Sequence, residues 1–176
     1  MRFDTLLKGG HLIDPKNNIN APMDLAITDG KIAAIDQDIP ADQAQQVLDV
    51  TGLYITPGLV DIHTHMYATP GWANAWAGDN SILPDGFSFR SGVTTMVDTG
   101  SAGWRTFPDF RERVLTRFQT RMYAFLNIAS MGMVSTTLEQ NVSDMDVERT
   151  AAVMKEHSDF VVGSKTAHFL SPDWVS

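Results

Sequence analysis

The 176-residue chain is 43% hydrophobic and 19% charged, an ordinary balance for a globular protein of one or two domains. A net charge of −8 with scattered Lys and Arg excludes an electrostatic surface for nucleic acid, and the absence of cysteine excludes disulfides and thiolate metal sites. No apolar run reaches membrane-spanning length and Met1–Gly10 lacks the apolar core of a signal peptide, so the expectation is a cytoplasmic protein without nucleic-acid or membrane partners.

Residues 1–55 read as short strands separated by turns, the N-terminal part of a small β-sandwich domain. Leu6-Leu7 leads into Gly9-Gly10, and His11-Leu12-Ile13 into the turn-favouring Asp14-Pro15-Lys16-Asn17-Asn18. Leu25-Ala26-Ile27 and Lys31 to Ile35 flank Thr28-Asp29-Gly30, a hairpin signal, and Gln43 to Asp49 is a further short element. His11, within this strand pattern, reads as a structural residue.

From residue 56 the pattern changes to alternating strands and helices. The apolar run Gly58-Leu59-Val60-Asp61-Ile62-His63-Thr64-His65 reads as a strand ending in two histidines. With a side-chain period of two, His63 and His65 project from one face and can share a metal, for which imidazole is a good ligand. Asp61 has the same parity and is placed to orient a histidine. A long loop follows, carrying Trp72 and Trp76, which read as loop packing or pocket lining. The spacing predicts a helix over 82–91, a strand from Val93 ending at Asp98-Thr99-Gly100, and a helix over 107–119 whose Phe107, Phe110, Val114 and Phe118 share a face. It further predicts a strand over 121–128, a helix over 144–156 capped by Asp144, and a strand over 160–165 ending at Lys165. Successive strand–helix units with nearly continuous apolar strands imply a parallel sheet covered by helices. Asp98, Ser101 and Asn127 fall at strand ends, where turn and capping roles explain them as well as a site does.

Three stretches, Asp29-Gly30-Lys31-Ile32, Thr56-Pro57-Gly58-Leu59-Val60-Asp61-Ile62-His63-Thr64-His65 and Arg90-Ser91-Gly92-Val93-Thr94-Thr95, resemble in order and spacing the N-terminal half of the amidohydrolase superfamily. Val97 to Gly103 and Ala124 to Ile128 resemble its dihydroorotase-like branch, which includes deacetylases and D-aminoacylase relatives. The resemblance implies a (β/α)8 metal-dependent hydrolase barrel, with its first four β/α units in 56–176, next to the small sandwich domain. It implies that His63 and His65 bind a divalent metal, expected to be zinc as one or two ions, and that Lys165, carboxylated by CO2, bridges the pair. His168 and Asn127 are the candidate substrate contacts. The general-base aspartate and two further histidine ligands are expected beyond Ser176, so the sequence reads as a fragment that would expose sheet edges and self-associate as a homo-oligomer. The implied function is hydrolysis of a C–N bond in a small amide, either an N-acyl compound or a cyclic amide of the dihydroorotate or hydantoin kind. The alternative is a non-catalytic remnant or scaffold that keeps half the barrel.

Overall fold

A computed structural model of the protein describes residues 2–71 and 80–170. Trp72 and Trp76 lie outside the described residues. The chain divides into two compact units, Met1–Pro57 and Gly58–Ser176.

The first unit is one mixed sheet. Strands β1 (Phe3–Asp14), β2 (Ile19–Thr28), β3 (Lys31–Asp36) and β4 (Ala44–Asp49) lie in the order β3-β2-β1-β4, and β5 (Tyr54–Ile55) pairs with the far end of β1. β1 runs straight through the stretch the sequence divides at Gly9-Gly10, absorbing the break as a bulge between Leu7 and Gly10. The β2–β3 hairpin turns where expected, with Asp29 at φ 51° and Gly30 at φ 69°, the paired positive values of a tight hairpin. A second layer of a sandwich is not among the described residues; the small core comprises Leu6, Ala26, Ile39 and Ala44. His11 is structural, its Nε2 lying 2.7 Å from Asn20 Oδ1.

Asp24 anchors this unit. It is 3% exposed, and its carboxylate accepts the Gly9 N–H at 2.8 Å, the Ile39 N–H at 2.9 Å and the Lys8 ammonium at 2.8 Å. Burial pushes its pKa up, but the bonds from Lys8, Ile39 and Gly9 outweigh that and hold it below the ordinary value.

The second unit carries four parallel strands in the order β6-β7-β8-β9: β6 (Leu59–Thr64), β7 (Val93–Gly103), β8 (Arg121–Asn127) and β9 (Val161–Lys165). Between them lie α1 (Pro84–Ser91), α2 (Phe107–Phe110), α3 (Thr136–Glu139) and α4 (Val147–Glu156). α1 starts later than expected, with Pro84 in its first turn, where a missing N–H costs nothing. α2 is cut short because the chain widens into a π turn over Arg111–Leu115, closed where the Thr116 N–H and hydroxyl both donate to the Arg111 carbonyl at 3.1 Å. The cap of α4 is Asp146, whose side chain accepts the Arg149 N–H at 2.9 Å. Asp144, the expected cap, ends a separate 3-10 turn and accepts the Ser130 N–H at 2.9 Å.

The aromatic face predicted for residues 107–118 is real: Phe107 and Phe110 are fully buried, packed with Tyr67, Met96, Met122 and Leu126 beneath the strand ends. The loop after β8 presses directly on the end of β7. A Cβ on Gly103 would sit 1.8 Å from the Ala129 carbonyl oxygen, and one on Gly132, at φ +74°, 2.2 Å from the Ser101 carbonyl oxygen. Val60 and Ile62 of β6 and Val162 of β9, on the two outer strands, are exposed. No helix among the described residues is long and apolar enough to cross a membrane.

Because the folded pKa of Asp24 is depressed, its contribution to stability is present above the ordinary carboxylate value of 3.8 and is lost as pH falls through the lower folded value. Asp24→Ala should cost about 1–3 kcal/mol by orphaning two backbone donors. It should also flatten the acid limb of a pH series of denaturant unfolding curves; a limb identical to that of the parent protein would contradict this role.

Candidate metal centre

The candidate residues gather where the parallel strands end. Cross-strand pairing aligns Thr64 with Asp98, Gly103 with Asn127 and Asn127 with Lys165, so the segments carrying His63, His65, Asp98, Ser101, Asn127 and Lys165 finish on one rim. Two hydroxyls fix β6 to β7 there. Thr64 donates to the Val97 carbonyl at 3.0 Å and Thr99 to the Thr64 carbonyl at 3.2 Å.

The His63 and His65 rings lie edge to face, with centroids 5.7 Å apart. Asp61 does not orient either ring. Its carboxylate folds back onto the chain and accepts the His63 backbone N–H at 3.0 Å. The orienting task falls instead to β7, where Ser101 Oγ lies 2.9 Å from His65 Nδ1. Asp98 is fully buried, accepting the Met66 N–H at 2.7 Å and the Ser101 N–H at 2.8 Å. Burial pushes Asp98 up to about 6 while those donors pull the other way, which leaves it ionised at neutral pH. Ser101 Oγ, accepting from His65 Nδ1–H, puts the imidazole lone pair on Nε2.

Electrostatics favour the same state. Burial first, then the neighbouring Lys165, His63 and His168, lower the His65 pKa to about 4, so the ring is neutral at pH 7. Lys165 is itself lowered by burial, opposed by Glu139 and Asp98. Its stem lies over Gly100, whose φ is +90° and whose absent Cβ would approach the lysine carbons at 3.2–3.3 Å. Two imidazoles, one with its lone pair assigned, beside a lysine with weakened affinity for its proton make a donor set that fits one end of a divalent-metal site. Among the described residues no cluster of three or more His, Asp or Glu side chains completes it.

Asn127 and His168 emerge differently from each other. Asn127 is 1% exposed and its amide is committed within the fold, Nδ2 donating to the Gly100 carbonyl at 3.1 Å and to Glu139 Oε1 at 3.2 Å, and Oδ1 accepting the Ala129 N–H at 3.0 Å. Its amide is therefore engaged with the ends of β7 and the loop after β8. His168 has a half-exposed side chain, with Nδ1 3.0 Å from Glu139 Oε2. Glu139 is what sequence reasoning missed, since a lone Glu in a short helix carries no signal, whereas Asp98 and Ser101 stood out by their strand-end positions with turn and capping roles weighed equally.

No family model matches the chain. A deacetylase of Agrobacterium fabrum is 36% identical over 153 residues, covering 83% of this chain and 35% of the relative. The crystal structure of a dihydroorotase superposes with a TM-score of 0.73 at 32% identity, over 91% of this chain and 41% of that one. That of an adenine deaminase gives 0.70 at 26% identity, over 92% and 40%. The parallel-sheet rim and these likenesses together place the chain in the amidohydrolase superfamily, beside its deacetylases and dihydroorotases. The chain spans about a third of the length of the curated relatives it matches, 35% and 36% for the first two.

Histidine side-chain NMR on 15N-labelled, metal-free protein should find His65 protonated at Nδ1 only, with a titration midpoint near 4. Ser101→Ala should mix the two tautomers. A midpoint near the ordinary 6.5, or a tautomer indifferent to Ser101, would remove the Asp98–Ser101–His65 chain from the account.

Proposed function

We propose that the intact protein is a metal-dependent hydrolase of a C–N bond in a small amide, of the N-acyl, deacetylase-like kind or the cyclic-amide kind. The observation that carries this reading is the convergence on one rim of two histidines, one with its lone pair assigned to Nε2, and a lysine of lowered pKa. The exposed Val60, Ile62 and Val162 support closure of the sheet into a (β/α)8 barrel, whose further strands would cover them, with residues 56–176 as its first half and 1–55 as part of the small sandwich domain.

In this reading His63 and His65 hold one divalent ion, zinc being the expected one, through their Nε2 atoms. Lys165 contributes after modification. Its depressed pKa raises the fraction of neutral amine, which adds to CO2 with loss of one proton to water, giving a carbamate whose oxygens can bridge two ions. An ammonium could not do this, having no lone pair. When bound, a divalent ion supplies a water of pKa near 7 and polarises a carbonyl. The chain's own part is to keep the His65 ring neutral and aimed before any ion arrives, through its contact with Ser101 and its burial. Small amides are the proposed ligands, and nucleic acid and membranes are not. The cytoplasm is the proposed location, and self-association through the sheet edges is the proposed behaviour of residues 1–176 expressed alone.

His63→Ala and His65→Ala in the intact protein should each lower metal content well below stoichiometric and reduce hydrolysis by roughly a hundredfold or more, since the ion accounts for several kcal/mol of the barrier. Metal analysis and a panel of N-acyl amino acids and cyclic amides measure both, and unchanged metal and turnover in the two variants would reject the assignment. Lys165→Ala should lose activity that millimolar short carboxylic acids partly restore. An intact mass with no CO2-labile adduct and no such rescue would reject the carbamate.

A further inference from the structure

The ladder between β7 and β8 breaks at the rim. Pairing is regular up to Thr99 beside Phe125 and resumes at Gly103 beside Asn127, so four steps along β7 are matched by two along β8. Such a bulge disrupts the ladder locally, and its backbone groups still need partners. The Gly100 carbonyl, inside the break, is met by a side chain: it accepts from Asn127 Nδ2 at 3.1 Å. Asn127 is 1% exposed, and its Nδ2 also donates to Glu139 Oε1 at 3.2 Å while its Oδ1 accepts the Ala129 N–H at 3.0 Å. Both amide hydrogens and the amide oxygen are used, which fixes the plane of the side chain.

Gly100 takes φ +90°, a value that residues with side chains rarely adopt. The space its own side chain would fill is occupied by another residue. A Cβ built there would stand 3.3, 3.2 and 3.3 Å from Cβ, Cγ and Cδ of Lys165, three successive carbons at nearly one distance, so the lysine stem passes broadside over the glycine. β8 separates β9 from β7 in the sheet, and the β8 residue that pairs with Lys165 is Asn127. The stem therefore reaches β7 beside the amide that holds the glycine's carbonyl. The Lys165 backbone is fixed as well, its carbonyl accepting the Ile128 N–H at 2.9 Å. A lysine stem is flexible and stays in one place only where something confines it, and here the confining surface is the Gly100 backbone.

We propose that Asn127 is a positioning residue for Lys165: by holding the Gly100 carbonyl across the break in the ladder, it keeps the glycine backbone as the surface on which the lysine stem is laid, and so fixes where the amine stands at the rim. This rests on the hydrolase reading, in which that amine becomes the carbamate. It gives Asn127 a task that needs no contact with substrate. An aspartate of the same shape could not perform it, because an ionised carboxylate has no hydrogen to donate to a carbonyl and would face the Glu139 carboxylate.

The test uses the intact protein loaded with zinc in 13C-bicarbonate, with the lysine carbamate counted by 13C NMR and turnover measured on the best substrate of the N-acyl amino acid and cyclic amide panel. Asn127→Asp, and Gly100→Ala, which crowds the stem, should each cut the carbamate signal at least about threefold and turnover about tenfold. Millimolar short carboxylic acids should return part of that turnover, as for Lys165→Ala. In the Lys165→Ala background with such an acid present, either change should cost less than about twofold, since no stem remains to be placed. A carbamate signal undiminished in both variants, or equal losses in both backgrounds, would overturn the proposal. Should Asn127→Asp fail to fold, Gly100→Ala decides by the same criteria. If no panel compound is turned over or the parent protein carries no carbamate, the hydrolase reading fails on its own, and the amine decides the inference. After reductive methylation with 13C-formaldehyde, the Lys165 methyl signal, identified by its loss in Lys165→Arg, should stand apart from those of exposed lysines and move toward them in the two variants. A signal that stays in place overturns it.

Discussion

The buried carboxylate of Asp98 is the constraint on which the rim depends. An isolated ionised carboxylate in a protein interior costs several kcal/mol, and this one stays charged because backbone donors from two chain segments converge on it. One donor, Met66 N–H, belongs to the segment leaving β6; the other, Ser101 N–H, to β7 itself. Satisfying the charge therefore pins the exit of β6 against the end of β7. That pinning turns the next residue, Tyr67, inward, where its ring lies 5.0 Å from that of Phe110 and its hydroxyl donates to Asp109 at 2.8 Å. The histidine just before Met66 is left facing Ser101. Polar satisfaction above and aromatic packing below are two consequences of the same anchor.

On the hydrolase reading, the groups proposed to bind a cation already have their charge eased at the rim. Two imidazoles and a lysine in proximity would repel one another if all were protonated. Burial removes that difficulty by lowering the proton affinity of His65 and Lys165, and the acidic groups Asp98 and Glu139 stand close enough to temper the effect on the lysine. The first unit uses the same physics for a different end. There Asp24 and Lys8 are paired with full opposite charges, and the pair stabilises a small sheet whose apolar core is limited to a handful of side chains.

The sequence made the parallel sheet and its rim legible because apolar strands alternating with an amphipathic helix leave a clear period, and because the apolar run ending at His63 and His65 reads as a strand, which the structure carries to Thr64. Phe107 and Phe110 were readable as core for the same reason. What it did not disclose was determined by contacts between residues far apart. The cap of α4 passed from Asp144 to Asp146 because Asp144 is drawn to the Ser130 N–H, a partner fourteen positions away. Asp61 had the right parity to serve a histidine ring, yet a nearer donor, its own chain two residues on, claimed it. Glu139 was invisible: periodicity does not mark a four-residue helix, and only the fold reveals that its carboxylate is walled in between Asn127 and His168.

Gly103 and Gly132 bring the backbones of β7 and the following loop closer than any side chain would allow, directly behind Ser101. A methyl group at either position would have to displace the main chain that presents Ser101 to His65. In a saturation survey of the gene scored by turnover, these two positions would therefore tolerate nothing and would look like members of the reacting set, although neither possesses an atom that could touch substrate. Intolerance at the rim thus has two origins, donor chemistry and backbone clearance. Only a stability readout run alongside the activity readout tells the two apart.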